Sequence, residues 1–250
     1  MVTGTIAFLM ATVEEFLTEI RSDYTQELIQ EYSWFASFSF YAGFAIFCTL
    51  IAGAMTVYIG PGANGSGVAE IMGLLNGVNY PKVISIRTLI VKIVAVVLAV
   101  VGSLCVGKEG PLAHIGTVTT MLIIYMPLEG FKFFQNDHDK RTFIAAGAAA
   151  GVSAAFGSPI GGALFAYEIS KPTTFWTFRT LWLVFFTSAV STLTLAFLTN
   201  MLKGNVISLS GAAVLKFGNL TQLYSPMNDL PAALIIGSIT GVMGALLVSV

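Results

Sequence analysis

A lysine, a glutamate and a histidine stand close together between two long apolar runs, in residues 107–116. Ionisable groups are costly in such surroundings and are usually functional there. Gly107 and Gly110 loosen the backbone, and Pro111 suits the first position of a new helix. Glu109 is therefore expected just ahead of a helix N-terminus, where free N–H groups and the helix dipole favour an anion. The carboxylate would occupy this anion site itself, and a small anion from solution would have to compete with it.

Two glycine patterns resemble nucleotide-binding loops. Residues 102–108 read G-x-x-x-x-G-K, but Glu109 follows where a phosphate-binding loop needs serine or threonine for magnesium. Residues 60–65 match G-x-G-x-x-G, yet they follow an uncharged run that is too long for a strand, and they lack a βαβ setting. Neither pattern therefore indicates nucleotide binding.

Composition sets the class of protein. The chain is 56% hydrophobic and 10% charged, whereas ordinary soluble domains carry about 25% charged residues. We therefore expect a membrane protein with several spans. The net charge of −1 gives no reason to expect nucleic acid as a partner. Cys48 and Cys105 both fall in apolar runs, so they are expected to be buried thiols that form neither a disulfide nor a metal site.

Long apolar runs predict four membrane spans, at residues 34–59, 86–106, 181–202 and 230–250. The second run carries Arg87 and Lys92 near its start, from where their long side chains could reach the lipid headgroups. Residues 1–13 are apolar but too few to span a bilayer alone, and they look clipped at the front. Residues 14–31 are expected to form a helix that leaves the membrane with a solvated acidic face.

Shorter segments are expected between these spans. Residues 111–126 form one predicted helix, and the alanine-rich run 143–156 forms another. The second of these contains Gly147-x-x-x-Gly151, a spacing that permits close packing against a neighbouring helix. A polar loop is expected at residues 203–229.

Three polar turns share one architecture, because each is loosened by glycine and opens a helix too short to cross a bilayer. We name them the first break, residues 64–67, the second break, residues 107–111, and the third break, residues 157–159. Irregular backbone at membrane depth persists only where protein or a water-filled cavity satisfies it. Broken helices whose N-termini converge bind anions in transporters, and Ser66 would add a hydroxyl donor. The alternative is that each break is only a structural interruption or a close contact.

The residues at these breaks resemble the signature motifs of the CLC family of chloride channels and chloride/proton antiporters, in that family's order and spacing. The motifs are Gly65-Ser66-Gly67-Val68-Ala69-Glu70, Gly107-Lys108-Glu109-Gly110-Pro111-Leu112-Ala113-His114-Ile115-Gly116 and Gly157-Ser158-Pro159-Ile160-Gly161-Gly162-Ala163-Leu164-Phe165. Residues 140–156, 174–176 and 191–195 further resemble the endosomal and lysosomal branch.

The resemblance implies an all-α integral membrane protein, a bundle of tilted and broken helices. Residues 1–229 would be the first inverted repeat of the pore, clipped at its N-terminus. Residues 230–250 would be the first helix of a truncated second repeat, with no CBS domains.

The resemblance also implies roles for single residues. Ser66 matches the serine whose hydroxyl coordinates the central chloride, and serine at this position favours chloride over nitrate. Glu109 matches the gating glutamate, which occupies an anion site when charged and swings away when protonated. The implied chloride-binding residues are Ser66, Gly65, Gly67, Lys108 and Gly110.

Proton-coupled members of the family carry a second glutamate directly after a Leu-Phe-x-x-Glu motif. Here that motif ends at Glu168, and Ile169 stands at the proton-transfer position, where an aliphatic side chain cannot relay a proton. We therefore expect channel-like chloride conduction. A chloride/proton antiporter of endolysosomal type is one alternative, and a non-conducting half-subunit or truncated gene product is another. Glu168 could itself take part in proton transfer, or it could be a helix-end carboxylate paired with Lys171 or Arg179.

The remaining expectations concern surroundings and partners. The resemblance implies chloride as the transported ion, no cofactor, no metal and no enzymatic activity. It also implies contact with membrane lipid and a homodimer if the chain is full-length, in an endosomal, lysosomal or other endomembrane. His114 lies one turn into the helix after Pro111, where it is either a pH sensor near Glu109 or a packed structural hydrogen-bond donor.

Overall fold

The computed structural model describes residues 1–31, 33–80, 82–127, 129–170, 176–202 and 229–248. These residues form nine α-helices and no strand: α1 (Val2–Glu31), α2 (Trp34–Ala54), α3 (Val68–Leu75), α4 (Ile86–Val101), α5 (Glu109–Ile124), α6 (Asp137–Phe156), α7 (Pro159–Ser170), α8 (Phe178–Leu202) and α9 (Asp229–Val248). Three shorter turns are a π-helix at Met55–Ile59 and 3₁₀-helices at Pro61–Ala63 and Glu129–Phe134. The expected all-α class is confirmed.

The chain divides into two compact units, Met1–Leu215 and Lys216–Val250. The first contains α1 to α8. The second contains α9, which is apolar over Pro231–Leu247 and covers most of the last predicted span. Most of the polar loop expected before it, residues 203–228, lies outside the described residues, as do Lys171 and residues 174–175 of the proposed endolysosomal resemblance.

Helix α6 is the centre of the first unit, and it packs against α5, α7 and α8. Its packing against α5 depends on glycine. A Cβ atom on Gly147 would lie 2.6 Å from the carbonyl oxygen of Gly116, and one on Gly151 would collide with the backbone of Leu112. Only hydrogen fits at both positions, so the two helix backbones touch. The close packing predicted from the Gly147-x-x-x-Gly151 spacing is confirmed.

Two helical stretches in the described part of the chain are long and apolar enough to cross a bilayer, Trp34–Ile59 and Phe178–Leu202. Both expose large apolar side chains on their outer faces, among them Phe47 and Phe186, which are 62% and 67% exposed. An apolar outer surface of this kind suits contact with lipid. These stretches correspond to the predicted spans at 34–59 and 181–202.

The predicted span at 86–106 is shorter in the structure, because α4 ends at Val101. Gly102 caps the helix, and Ser103 takes a positive φ of 59°, a conformation that no α-helix contains. The hydropathy of the sequence does not show this interruption, since the residues after it are still apolar. Cys105 therefore lies in a loop and is exposed, contrary to the expected buried thiol, whereas Cys48 is buried as predicted.

The turn after α4 is held by α1. Arg21 donates hydrogen bonds to the carbonyl oxygen of Val101 and to the Ser103 hydroxyl. The Tyr41 hydroxyl lies 2.7 Å from the same serine oxygen, and the Arg21 guanidinium sits 5.0 Å from the centre of the Tyr41 ring. Helix α1 is continuous from its apolar start to its acidic end, so residues 1–13 and 14–31 are two parts of one helix.

Candidate anion site

A cavity of about 580 Å³ lies where the first and second breaks meet α2 and α4. Gly65 and Ser66 reach it from the first break, and Gly107 and Pro111 reach it from the second. The rest of its described lining is mostly apolar, and the one charged side chain in it belongs to Lys92. A cation without an acid in the same wall favours an anionic occupant.

The first break is a left-handed turn that opens α3. Gly65 has a φ of +65° and Gly67 a φ of +85°, a region that glycine adopts without strain. Ser66 stands exposed between them, and its Oγ accepts a hydrogen bond of 3.3 Å from the N–H of Val68. The hydroxyl hydrogen of Ser66 therefore remains available for a ligand.

The second break lies directly against the first. A Cβ atom on Gly110 would come within 2.8 Å of the Cβ of Ser66, so the absence of a side chain at 110 brings the two breaks into contact. Helix α5 begins at Glu109, two residues before the proline expected to open it, and α3 begins at Val68. Two helix N-termini, each with unpaired N–H groups, are thus neighbours at one cavity.

Glu109 lies beside this cavity and is half-buried. Its carboxylate folds back over Gly107, where an added Cβ atom would collide with its Oε2. No other described residue forms a hydrogen bond or an ion pair with this carboxylate. The acid is thus placed next to a wall of the cavity without a side-chain partner that would fix it there.

Lys108 faces away from this cavity, although the resemblance counts it among the chloride-binding residues. Its Nζ lies 3.2 Å from both carboxylate oxygens of Glu14 on α1. The pair borders a second, smaller cavity of about 230 Å³ between α1, α5, α6 and α8. The positive charge of Lys108 is therefore largely engaged by α1.

The third break is not part of the described lining of the large cavity. The Ser158 hydroxyl accepts a hydrogen bond of 3.1 Å from the N–H of Gly161 and so caps the start of α7. Ile160 and Leu164, which follow it, border an apolar pocket against α8. The structure thus brings together two of the three breaks at the cavity.

His114 is packed rather than solvated, with 1% of its surface exposed. Its ring fits against Gly67, where a Cβ atom would lie 2.6 Å from Nδ1. Neither ring nitrogen has a hydrogen-bond partner in the described part of the chain. The expectation of a packed histidine is confirmed, but the expected donor role is wrong, since neither ring nitrogen donates to an acceptor among the described residues.

The residue at the expected proton-transfer position is apolar and buried. Ile169 is 8% exposed and belongs to a hydrophobic cluster with residues of α5 and α6. Glu168, one residue earlier on α7, is exposed.

Lys92 lies elsewhere than its sequence predicts. It was expected to extend toward the headgroups, but 2% of it is exposed, and its Nζ donates to the carbonyl oxygens of Ala63 and Gly65 at 3.1 and 2.8 Å. The signal available in the sequence is its spacing from Thr88, one helical turn earlier. Two polar residues at i and i+4 on an apolar helix indicate an inward polar face, and Thr88 is also buried.

The sequence model for the voltage gated chloride channel family matches residues 48–250. The chain belongs to this family. Among its relatives in the voltage gated chloride channel family, H(+)/Cl(−) exchange transporter 7 of Bos taurus is 35% identical over 98% of this chain and 32% of the relative. Chloride channel protein A of Dictyostelium discoideum is 34% identical over 98% of this chain and 29% of the relative. The chain thus spans about a third of the length of these curated relatives.

Two solved structures of CLC proteins share the fold. A eukaryotic CLC transporter superposes with a TM-score of 0.69 at 24% identity, over 80% of this chain and 36% of the transporter. A slow cyanobacterial Cl⁻/H⁺ antiporter superposes with a TM-score of 0.70 at 22% identity, over 97% of this chain and 52% of the antiporter. These superpositions confirm the broken-helix bundle of the CLC family as the fold of this chain.

Proposed function

We propose that this protein transports chloride across a membrane, with the first and second breaks as its anion site and Glu109 as its gate. The observation that carries the proposal is the contact between Ser66 and Gly110. This contact places the free hydroxyl hydrogen of Ser66 and the N-termini of α3 and α5 beside one cavity. Family membership supports chloride as the ion, since the family is named for chloride channels and its relatives here for chloride transport.

Gating follows from competition between two negative charges. A charged Glu109 carboxylate and a chloride ion repel each other, so they cannot occupy neighbouring donors together. When the carboxylate is protonated or displaced, the donors become available to chloride. The half-buried position of Glu109, with no side-chain partner among the described residues, supports such movement. The implied ligands remain Ser66, Gly65, Gly67 and Gly110. Lys108 contributes to the site only if its pairing with Glu14 opens.

We infer channel-like conduction rather than strict exchange. A proton relay needs a group that can gain and lose a proton, and the buried Ile169 cannot do so. Chloride/proton exchange is the second candidate, and it is favoured by relatives whose names describe H(+)/Cl(−) exchange. The exposed Glu168 would then be the acid nearest the usual relay position.

The gate is tested by chloride efflux from vesicles that contain the protein, measured with Glu109→Gln and Glu109→Ala. Both variants remove the competing charge, so we expect efflux that no longer responds to pH over the range in which the wild type responds. Glu19→Gln, an exposed carboxylate on α1, is the matched control and should leave efflux unchanged. If both Glu109 variants keep the rate and pH response of an active wild type, Glu109 is not the gate.

Recording proton movement together with chloride decides between the two candidates. Channel-like conduction predicts no uphill proton flux when a chloride gradient is imposed. Proton uptake in fixed proportion to chloride would establish exchange and would overturn the inference from Ile169.

We further propose that residues 1–229 form the first repeat of the pore and that residue 230 begins the second. The working assembly would be a homodimer in an endolysosomal or other endomembrane, as the sequence resemblance to that branch suggests. A third possibility is a non-conducting half-subunit that assembles with related subunits. Co-purification with a full-length subunit, without chloride efflux from the chain alone, would establish that role.

A further inference from the structure

Lys92 is a charged side chain in the interior of an apolar helix. It is 2% exposed, and its neighbour Val91 is exposed to the same extent. A buried ammonium group is tolerated only when hydrogen bonds replace its lost hydration. Here Nζ donates to two backbone carbonyl oxygens, those of Ala63 at 3.1 Å and Gly65 at 2.8 Å. Both acceptors belong to the segment that leads into Ser66.

This arrangement fixes the segment at two points. Ala63 ends the 3₁₀-helix Pro61–Ala63, and Gly65 is the first of two left-handed residues in the first break. Asn64 lies between them, and its side-chain oxygen accepts a hydrogen bond of 2.9 Å from the N–H of Gly65. One ammonium group thus orients the carbonyl groups of the two residues that flank Asn64.

The direction of the Gly65 carbonyl determines which backbone groups the first break exposes to a ligand. In a trans peptide the C=O and N–H groups point in opposite directions, and the described residues contain no cis peptide bond. Because the Gly65 carbonyl points at Lys92, the N–H of Ser66 points away from it. No described residue accepts a hydrogen bond from that N–H group.

We propose that Lys92 is a positioning residue of the anion site, and this rests on the proposed function above. Its ammonium group holds the carbonyls of Ala63 and Gly65 back, so that the first break offers an anion N–H and hydroxyl donors instead of carbonyl oxygens. Without this restraint the Gly65-Ser66 peptide is free to turn, and a carbonyl dipole facing the cavity repels an anion. Glycine at 65 makes such a turn easy, which is why a restraint is needed there.

The test combines two measurements on the protein in detergent, with chloride as the probe. Hydrogen–deuterium exchange of the peptide covering residues 62–68, without chloride, reports on the restraint alone. Chloride titration by calorimetry reports on the site. Lys92→Met keeps most of the length of the side chain but removes its donors and its charge. Arg87→Met is the matched control, because Arg87 carries the same charge on the same helix but is exposed.

For Lys92→Met we expect exchange in residues 62–68 to speed up about tenfold, as for the loss of one hydrogen bond to a charged group. Chloride affinity should fall by a similar factor. Lys92→Arg retains donors and charge and should preserve most of both properties, and Arg87→Met should change neither. If Lys92→Met does not fold, Lys92→Gln takes its place, because it keeps one short donor, and its exchange should still exceed that of the wild type.

Unchanged exchange in residues 62–68 of a folded Lys92→Met or Lys92→Gln variant would overturn the proposal, whatever the chloride affinity. Faster exchange with unaltered chloride affinity would also overturn it, since the restraint would then be irrelevant to the anion. A wild type that binds no chloride would instead refute the proposed function. The exchange data would still decide whether Lys92 orders the segment.

Discussion

The first and third breaks are alike in sequence and backbone, yet the described structure opens only the first onto the large cavity. Each has a glycine with a φ of +65° followed by a serine, Gly65-Ser66 in one and Gly157-Ser158 in the other. Around both glycines a Cβ atom would meet nothing within 4 Å. The backbone at these two glycines is therefore alike, although Gly67 adds a second left-handed residue to the first break. The surroundings of the two breaks differ much more.

The residues that contact the first break come from distant parts of the chain. Lys92 on α4 donates hydrogen bonds to the carbonyl oxygen of Gly65 in this break and to that of Ala63 just before it, and Gly110 of the second break packs against Ser66. The third break has no such partners among the described residues. Ser158 instead bonds within its own turn, and Ile160 faces an apolar pocket. A glycine-serine turn before a short helix thus becomes a candidate site only when other elements supply a cavity and a restraint.

The largest effect is expected at the contact between α6 and α5, the helix that the second break opens. Gly151→Ala would place a Cβ atom against the backbone of Leu112 and push α5 away from α6, which displaces the second break from the first. We expect a loss of stability of about 1–3 kcal/mol or more, and a loss of chloride binding. Thermal unfolding and chloride titration measure the two effects. Gly43→Ala on α2, where a Cβ atom meets nothing within 4 Å, is the control and should not destabilise the protein.

An intermediate effect is expected from the matched pair Gly65→Ala and Gly157→Ala. Both force alanine into a left-handed conformation, so each should lower stability by about 1–2 kcal/mol. Only Gly65→Ala should also weaken chloride binding, because only Gly65 lines the cavity. Equal losses of chloride affinity in both variants would contradict the distinction between the two breaks.

A smaller effect is expected from replacing the serines of the first and third breaks, Ser66 and Ser158. Ser158→Ala removes the cap of α7 and should cost about 1 kcal/mol in thermal stability while leaving chloride affinity unchanged. Ser66→Ala removes a hydroxyl that makes only a 3.3 Å contact within the protein, so stability should change less and chloride affinity more. The reverse pattern, with Ser158 controlling chloride affinity, would place the anion at the third break.

The smallest effect is expected at the rim of the second break. Glu14→Gln removes the ion pair with Lys108, whose side chain is 38% exposed, so stability should fall by at most about 1 kcal/mol. The unpaired Lys108 would then add positive charge near the anion site, and chloride uptake should rise at low ionic strength. Glu19→Gln again serves as control, and an equal rise in that variant would indicate a general effect of acidic charge on α1.

Much of the fold could be predicted because it is determined locally. The span at 34–59 follows from an uninterrupted apolar run, and the contact between α5 and α6 follows from the spacing of Gly147 and Gly151. The end of α4 at Val101 could not be predicted from hydropathy, because Ser103 interrupts the helix through its backbone conformation while the sequence around it stays apolar.

The candidate site was predictable only in part, for the same reason. Glycine, serine and proline identify the turns, since these residues control their own backbone. The role of Lys92 depends on a contact across 27 to 29 residues of sequence, and a lysine near the start of a span is usually solvated by headgroups. The packing of the helices likewise decides which of the three breaks contact one another. The residues of the turns do not determine that packing.

Cys105 gives the protein a natural attachment point for a reporter. The chain has two cysteines, and of these Cys48 is enclosed while Cys105 is open to reagents in the loop that runs into Glu109. A maleimide dye added to the unmodified protein would therefore label one position, a few residues from the proposed gate. Its fluorescence could follow the movement of that loop in real time without any engineered change to the sequence.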